Sequence, residues 1–520
     1  MNNLFKTRLV VMMAIILFMS SCSEEFLDRP PEDSYSVDTF YQTESQVKAS
    51  TNALYVRPWY NFITNVSWCI GELSSGNGRT WDPRNADFVN FAITGEHGTL
   101  TQAWESLYAV VAQANGVINT MPPIAASNGV SESVINNAVG EARFIRATAY
   151  FYLVRIFGSI PIIADNNLYV LQAEVPRNPV EDVYEFIRRD LQFGIENITN
   201  TKGSEPGRVS ANGAKAMLAK IYLYEENYPM AYQLSSEVIN SGEFKLYGGD
   251  AEDGDASGSY YDLFLTANDN NPESIFALQW TTSGQYAEGN GLQSLFAQSG
   301  VTGFSDGWSA IGPSIDLQEA YEDTEEDLRY YATIMAPGSF YPDLNGGFTA
   351  SETINHQGCN VGIKKYVIGT AASNGGGGQQ SYPNNTYILR YGELLLINAE
   401  AALNGGGPAA QGINSLNKVR RRAGLQDLVN PTLEDVFNER RIELAFEFEF
   451  WYDVVRQGPD FAIDFLSNTE RGTYNNDTTP PTVNTENYTA SMDDMLFPYP
   501  SNEIQNNPGL TQPPVPYEFD

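Results

Sequence analysis

This 520-residue chain has three cysteines, two histidines and 30 basic side chains set against 64 acidic ones. Each shortage excludes something. Three cysteines cannot build a disulfide framework or a cysteine-based metal cluster, and two histidines as far apart as His97 and His356, with no HExxH string, cannot supply a typical zinc site. A formal charge of −34 repels nucleic acid and anionic head groups, so neither is an expected partner, and it favours neutral ligands over polyanions. Long apolar runs are missing as well. The one uncharged stretch, Leu9 to Met19, falls well short of the ~20 residues that a spanning helix needs.

That stretch fits a different role. Lys6 and Arg8 precede it and Ser20-Ser21-Cys22 closes it, which together form a secretory signal over residues 1–21. Cleavage before Cys22 exposes a cysteine at the new N-terminus, where bacterial lipoproteins carry acyl chains. Cys22 is therefore the expected lipidation site, although Met19-Ser20-Ser21 departs from the common Leu-x-Gly/Ala pattern. Losing Lys6 and Arg8 leaves 28 basic against 64 acidic side chains, a mature charge near −36. Residues 22–39, rich in proline and acid, read as a tether. Residues 40–520 read as a single domain, with a helical-repeat part over about 40–245 and a loop-rich C-terminal part over about 246–520.

Apolar spacing predicts helices over 40–56, 99–120, 133–157, 179–198, 210–225, 229–241, 388–403, 408–423 and 432–456. Within them Leu218, Ala219, Tyr222, Tyr228, Ala231 and Val238 fall at the offsets of a tetratricopeptide helix pair, with looser matches at Trp104, Leu107, Tyr108 and Val111 and at Leu396, Ala399, Ala410 and Leu416. The expected fold is mostly α, a tetratricopeptide-like helical-repeat scaffold whose units bury their faces against neighbours. Between the helices run long stretches rich in Gly, Asn, Ser and aromatics, notably 71–98, 248–272, 281–312, 336–386 and 467–490. Loops of this length in a compact protein are functional or disordered.

Several segments, in order, resemble one family. FLDRPPEDSYSVDTFYQTESQ, EARFIRATAYFYLVRIFGSIPII, GRVSANGAKAMLAKIYLYEENY, RYGELLLINAEAAL, INSLNKVRRRAGL, ERRIELAFEFEFWYDVVRQG and LFPYPSNEIQNNPGLTQ are similar to the SusD/RagB outer-membrane lipoproteins of Bacteroidetes. The acidic pair after Cys22 also resembles their surface-export signal. Phe448 and Phe450 depart from the family, which has Gly and Arg there. The resemblance implies a lipid-anchored protein on the extracellular face of the outer membrane. It would sit as a lid over a SusC-like TonB-dependent transporter and pass captured carbohydrate to it.

The scaffold motifs carry their own physics. In a helix over 432–456, Val436, Phe437, Arg440, Leu444, Phe448, Trp451 and Val455 share one face, and Arg440 can pair with Glu443. Arg441 and Asp453 reach other helices. Glu393 and Glu400 need partners if buried, and Arg420, Arg421 and Arg422 are available.

Catalytic patterns fail on inspection. Gly303-Phe304-Ser305-Asp306-Gly307 is a G-x-S-x-G string, but Gly and Pro follow where the helix of a nucleophile elbow begins, and only His356 could complete a triad with Ser305. The acidic run 250–255 lacks EF-hand spacing, Glu322–Asp327 reads as a helix surface, and Gly375–Gly378 lacks the Lys-Ser/Thr of a phosphate loop. No catalytic residue, metal or cofactor is expected.

The aromatic excess, 30 Tyr, 27 Phe and 7 Trp, still needs a use. Sugars present C–H faces that stack on rings and hydroxyls that seek planar polar groups, and aromatic loops rich in amides suit both. The glycan-binding candidates are Trp81 with Asn77, Arg79 and Asp82 in one loop, and Trp308 with Tyr286 and Phe304 in another. Trp104, Trp280 and Trp451 lie in apolar runs and read as core. Peptide capture by a relative of the same family is the alternative function, an envelope glycoside hydrolase a weaker one, and a purely structural surface scaffold a third.

Overall fold

The computed structural model describes residues 40–170, 172, 174–249 and 254–519. The signal over 1–21, Cys22, the tether over 22–39 and most of the acidic run 250–255 lie outside the described residues.

The fold is mostly helical. Gly98–Ser127, Glu132–Phe157, Val180–Asn197, Ala211–Tyr224 and Tyr228–Ser241 follow one another, each packing against the next. Their starts are written locally. Ser210 accepts the Gly213 N–H and Asn227 the Met230 N–H, which satisfies donors that a helix N-terminus otherwise leaves open. Gly242, at φ 69°, ends the second of this pair. Tyr391–Ala401 then packs on both the 228–241 helix and Ala409–Arg422, so the C-terminal helices extend the same stack. At its centre the 132–157 helix is buried throughout from Phe144 to Phe157, and its Arg146 meets Asp190 on the 180–197 helix through two bonds of 2.8 and 2.7 Å.

Three predicted helices differ, the 388–403 one only at its start, where residues 388–390 belong to the strand Thr386–Arg390. Residues 40–56 hold only Glu44–Ala49 as α-helix, because Ser50 and Thr51 turn their hydroxyls onto the Val47 and Lys48 carbonyls and the chain continues as 3₁₀ turns. The 432–456 helix is two, Leu433–Glu443 and Phe450–Val455, so its single apolar face does not form. The break holds Phe446 at φ 61° and Phe448 at φ 71°, a region that favours glycine. Phe448 is fixed there by its N–H donating to Glu72 at 2.9 Å, and Gly71 makes room, since a Cβ on it would lie 2.5 Å from the Phe448 Cα. Glu322–Asp327 is also a turn rather than a helix surface, with Asp323 accepting the Glu325 and Glu326 N–H groups.

Ion pairing departs from expectation in its partners. Glu393 meets Lys220 (2.9 Å) and Arg440 (3.3 Å), and Glu400 meets Arg456 (2.7 Å), rather than Arg420–Arg422. Arg440 pairs with Asp453 at 2.9 Å, not with Glu443. Glu443 instead sits among Arg390 (2.5 Å), Arg329 (3.1 Å) and Arg422. Burial alone would raise its carboxyl, but Arg422, Arg390 and Arg329 outweigh that and hold it below the usual carboxylate range.

The loops are knitted by two-stranded ladders. Ser274–Leu278 pairs antiparallel with Thr386–Arg390, and Gly78–Arg79 pairs antiparallel with Gly312–Pro313. Cys69 and Cys359 are buried free thiols.

Candidate functional site

The 78–79/312–313 ladder places the site. Its antiparallel strands set Gly78 opposite Pro313 and Arg79 opposite Gly312, so the chain leaving Arg79 and the chain arriving at Gly312 share one end. Trp81 lies two residues beyond the first strand and Trp308 four before the second. Both line one open cleft of about 1010 Å³, together with Thr64, Asn65, Trp68, Asn85, His97, Gln102, Gln357 and Gln380. That volume is at the upper end for small-molecule sites and suits several linked rings. Trp81 is 55% exposed and Trp308 44%.

Trp81 is held from behind. Gly358, at φ 81°, carries no side chain where a Cβ would come 2.9 Å from the ring, and the Arg79 guanidinium lies 5.6 Å from the ring centroid. Arg79 itself is buried, donating to the Arg471 and Gln357 carbonyls at 3.0 and 2.8 Å and to Glu486 at 3.3 Å. It therefore supports the ring instead of facing a ligand, contrary to its reading as a binding residue. Asn77 departs further. It is fully buried, donating to Glu72 at 3.1 Å and accepting from Arg441 at 2.9 Å, and so belongs to the scaffold.

Asp82 does line the cleft, but Arg84 two residues on closes on it through Nε at 2.9 and 3.0 Å. The hydrogen bonds from Arg84 hold the Asp82 carboxyl below its ordinary range, and the pair cancels its own charge. Behind it His97 joins two elements. Its Nδ1 accepts the Thr99 N–H at 3.2 Å, capping the 98–127 helix, and its Nε2 lies 2.7 Å from the Arg84 carbonyl.

The Trp308 loop is fixed by main chain. Trp308, Ser309 and Ala310 donate their N–H groups to the carbonyls of Ser294 (2.9 Å), Ala297 (3.1 Å) and Leu295 (2.7 Å), around the short helix Leu292–Phe296. The buried Asp306 carboxylate accepts from Ser294, Thr302 and Tyr382, pinning the turn, and Gly307 at φ 88° approaches the Gln298 carbonyl where a Cβ would lie at 2.5 Å. Tyr286 and Phe304, 64% and 42% exposed, do not line this cleft. Tyr286 packs edge-on against Tyr60 at 5.2 Å and Phe304 against Tyr382 at 6.4 Å. Trp104, Trp280 and Trp451 are buried in the core as expected.

The Ser305 triad does not assemble. His356 Nε2 meets Ser309 Oγ at 2.9 Å, its Nδ1 has no hydrogen-bond partner among the described residues, and burial pushes its pKa down to about 4, leaving it neutral. No group of His, Cys, Asp and Glu among the described residues could hold a metal ion. Sequence reading missed Trp68, His97, Gln357 and Gln380 as cleft residues. Trp68 carried only an ambiguous aromatic signal, and the others none.

Comparison with known proteins covers nearly the whole chain. Residues 25–223 match the family described as "Starch-binding associating with outer membrane", and residues 272–516 the one described as "SusD family". A SusD-like protein of Bacteroides ovatus is 34% identical over 568 aligned positions, covering 100% of both chains. SusD-like protein P2 of Formosa agariphila is 27% identical, covering 86% of this chain and 90% of its own. A crystal structure described as "with xylogluco-oligosaccharide" superposes with a TM-score of 0.79 at 32% identity, over 91% of this chain and 99% of that one.

Proposed function

The chain belongs to the SusD family, and from that premise we propose that the cleft between Trp81 and Trp308 captures an uncharged oligo- or polysaccharide and passes it, unbroken, to a SusC-like TonB-dependent transporter. The observation that carries this reading is the placement of two half-exposed tryptophans on one cleft whose other walls carry seven hydroxyl and amide side chains. Rings supply faces for pyranose C–H bonds, amides supply both donors and acceptors for hydroxyls, and with Asp82 and Arg84 paired to each other the remaining carboxylate on the wall, Glu96, disfavours an anion. Binding without turnover is supported by His356, the one histidine that could serve Ser305, being engaged with Ser309 instead. Outer-membrane placement is supported by the family description, with Cys22 as the lipid attachment point and the extracellular leaflet as its location. No helix among the described residues is long and apolar enough to cross a membrane.

The test is direct. In calorimetric titration with xylogluco-oligosaccharides, laminarin oligosaccharides and mixed peptides, at least one glycan binds, and the glycan ladder is unchanged in length after prolonged incubation. Tight peptide binding with no glycan binding sinks the reading, and shortened glycan replaces it with a hydrolase. In cells, Cys22→Ala releases the protein from the outer membrane without altering its affinity, and co-purification with a TonB-dependent transporter marks the hand-off partner.

A further inference from the structure

Beyond the 78–79/312–313 ladder the two tryptophan-bearing chains run side by side, and the rungs that join them come from side chains. Thr80 Oγ1 donates to the Ala310 carbonyl at 2.8 Å. One step further out, the Trp81 N–H donates to Gln357 Oε1 at 2.6 Å, and Gln357 Nε2 donates to the Ser309 carbonyl at 2.6 Å. A single amide from a third loop thus ties the residue bearing one ring to the neighbour of the residue bearing the other. Its backbone is fixed in turn. Gln357 sits at φ 54° with its carbonyl taken by Arg79 at 2.8 Å, and the next residue is Gly358, whose missing Cβ leaves the space for the Trp81 ring. Ser309, at φ 47°, is gripped through its hydroxyl by His356 from the same third loop.

We propose that Gln357 is a positioning residue that sets the spacing and relative tilt of Trp81 and Trp308, and thereby which glycan repeat the cleft prefers; the second half of this rests on the glycan reading above. The bridge needs an acceptor facing Trp81 N–H and a donor facing Ser309 C=O at one length, which a primary amide provides. Glutamate offers no donor and sets a carboxylate against a carbonyl. Methionine fills the volume and makes neither bond, and asparagine keeps both groups one methylene short.

Ligand-free protein labelled with 5-fluorotryptophan tests the positioning alone, its resonances assigned by single Trp→Phe substitutions. In Gln357→Met the Trp81 and Trp308 resonances both shift while those of Trp104, Trp280 and Trp451 stay. If Trp81 and Trp308 also stay, the proposal is wrong. Should Gln357→Met fail to fold, Gln357→Asn decides by the same criterion. For selectivity the probes are a xylogluco-oligosaccharide and an unbranched gluco-oligosaccharide of equal backbone length. Gln357→Met changes the ratio of their dissociation constants by about five-fold or more, whereas equal weakening of both overturns the selectivity claim. If the wild type binds neither probe nor any other glycan, the glycan reading fails, and the fluorine spectra still settle whether Gln357 sets the rings.

Discussion

The interior around Glu443 and the cleft beneath Trp81 are built from opposite materials. Around Glu443 the chain spends its scarce cations: Arg329, Arg390, Arg420, Arg422 and Lys365 are all buried and paired with Glu273, Glu439, Glu443 and Glu447. The cleft loops instead rest on main-chain hydrogen bonds, positive-φ residues and one bridging amide, with two ion pairs beside them, Asp82 with Arg84 and Arg79 with Glu486. A buried charge lattice fits one arrangement, since each member left alone is costly, so it fixes the scaffold. Loops pinned by backbone leave their rings free to change. In this second region that freedom is confined to the exposed rings, since Gly307, Gly358 and Asp306 beneath them are closely constrained.

Substitutions can break that contrast. The largest effect is expected from Glu443→Ala, which leaves Arg329, Arg390 and Arg422 buried with one partner fewer and costs about 3–5 kcal/mol in chemical denaturation. A loss below about 1 kcal/mol would show that the lattice does not hold the scaffold. The pH dependence follows in sign. Because Glu443 is held below the usual range, its contribution is complete above pH 4.5 and is withdrawn as the pH falls toward its depressed value, so it makes the scaffold acid-sensitive.

Trp81→Ala and Trp308→Ala sharpen the other side of the contrast. Each should weaken glycan binding about ten-fold, from about 1–2 kcal/mol of ring surface no longer covered, while the unfolding midpoint hardly moves. Loss of folding in either would assign that ring to the core.

His97→Ala tests a joint within the cleft wall itself, between the Arg84 turn and the 98–127 helix. It removes the cap of the 98–127 helix and costs about 1 kcal/mol, and His97→Asn, which restores a cap acceptor, recovers most of it.

A last test is at Glu72, a buried carboxyl with no ion-pair partner among the described residues. Burial pushes it up to about 7, against the N–H groups of Phe448 and Asn77 that favour the anion. The folded state therefore holds this proton more tightly than the unfolded one, and the contribution to stability declines as the pH rises from 4.5 to 7. Carboxyl ¹³C NMR should show Glu72 titrating near pH 7; a midpoint near 4.5 removes it as an exception among the buried acids.

The helices were legible because periodicity and caps are local: Ser210, Asn227 and Gly242 stand where the 211–224 and 228–241 helices begin and end. The break at 444–449 was not, since nothing in the apolar spacing reveals that Phe446 and Phe448 take left-handed backbone. Only the family's Gly in place of Phe448 hinted at it. Ion-pair partners were misassigned for a similar reason. Arg422 reaches Glu273, 149 positions away in the chain, and sequence proximity says nothing about such a pair. In the site, Trp81 and Trp308 stood out among Gly, Asn and Asp, and the pairing of their strands, invisible in sequence, brings them together. Asn77 looked like a loop residue because its neighbours are small and polar, yet it is the donor that satisfies a buried glutamate. Gln357 carried no pattern at all, its role being a property of three loops at once.

The 98–127 helix has a mechanical consequence. Its first turns form a wall of the cleft, and its thirty residues extend about 45 Å before Ser131, just past its end, bonds to Glu44 at the start of the described chain. The helix is therefore a boom with the cleft at its tip. A turn of the whole molecule by about 10° about the Glu44 end swings the cleft through about 8 Å, the width of a sugar ring or more, with no contact inside the protein having to change.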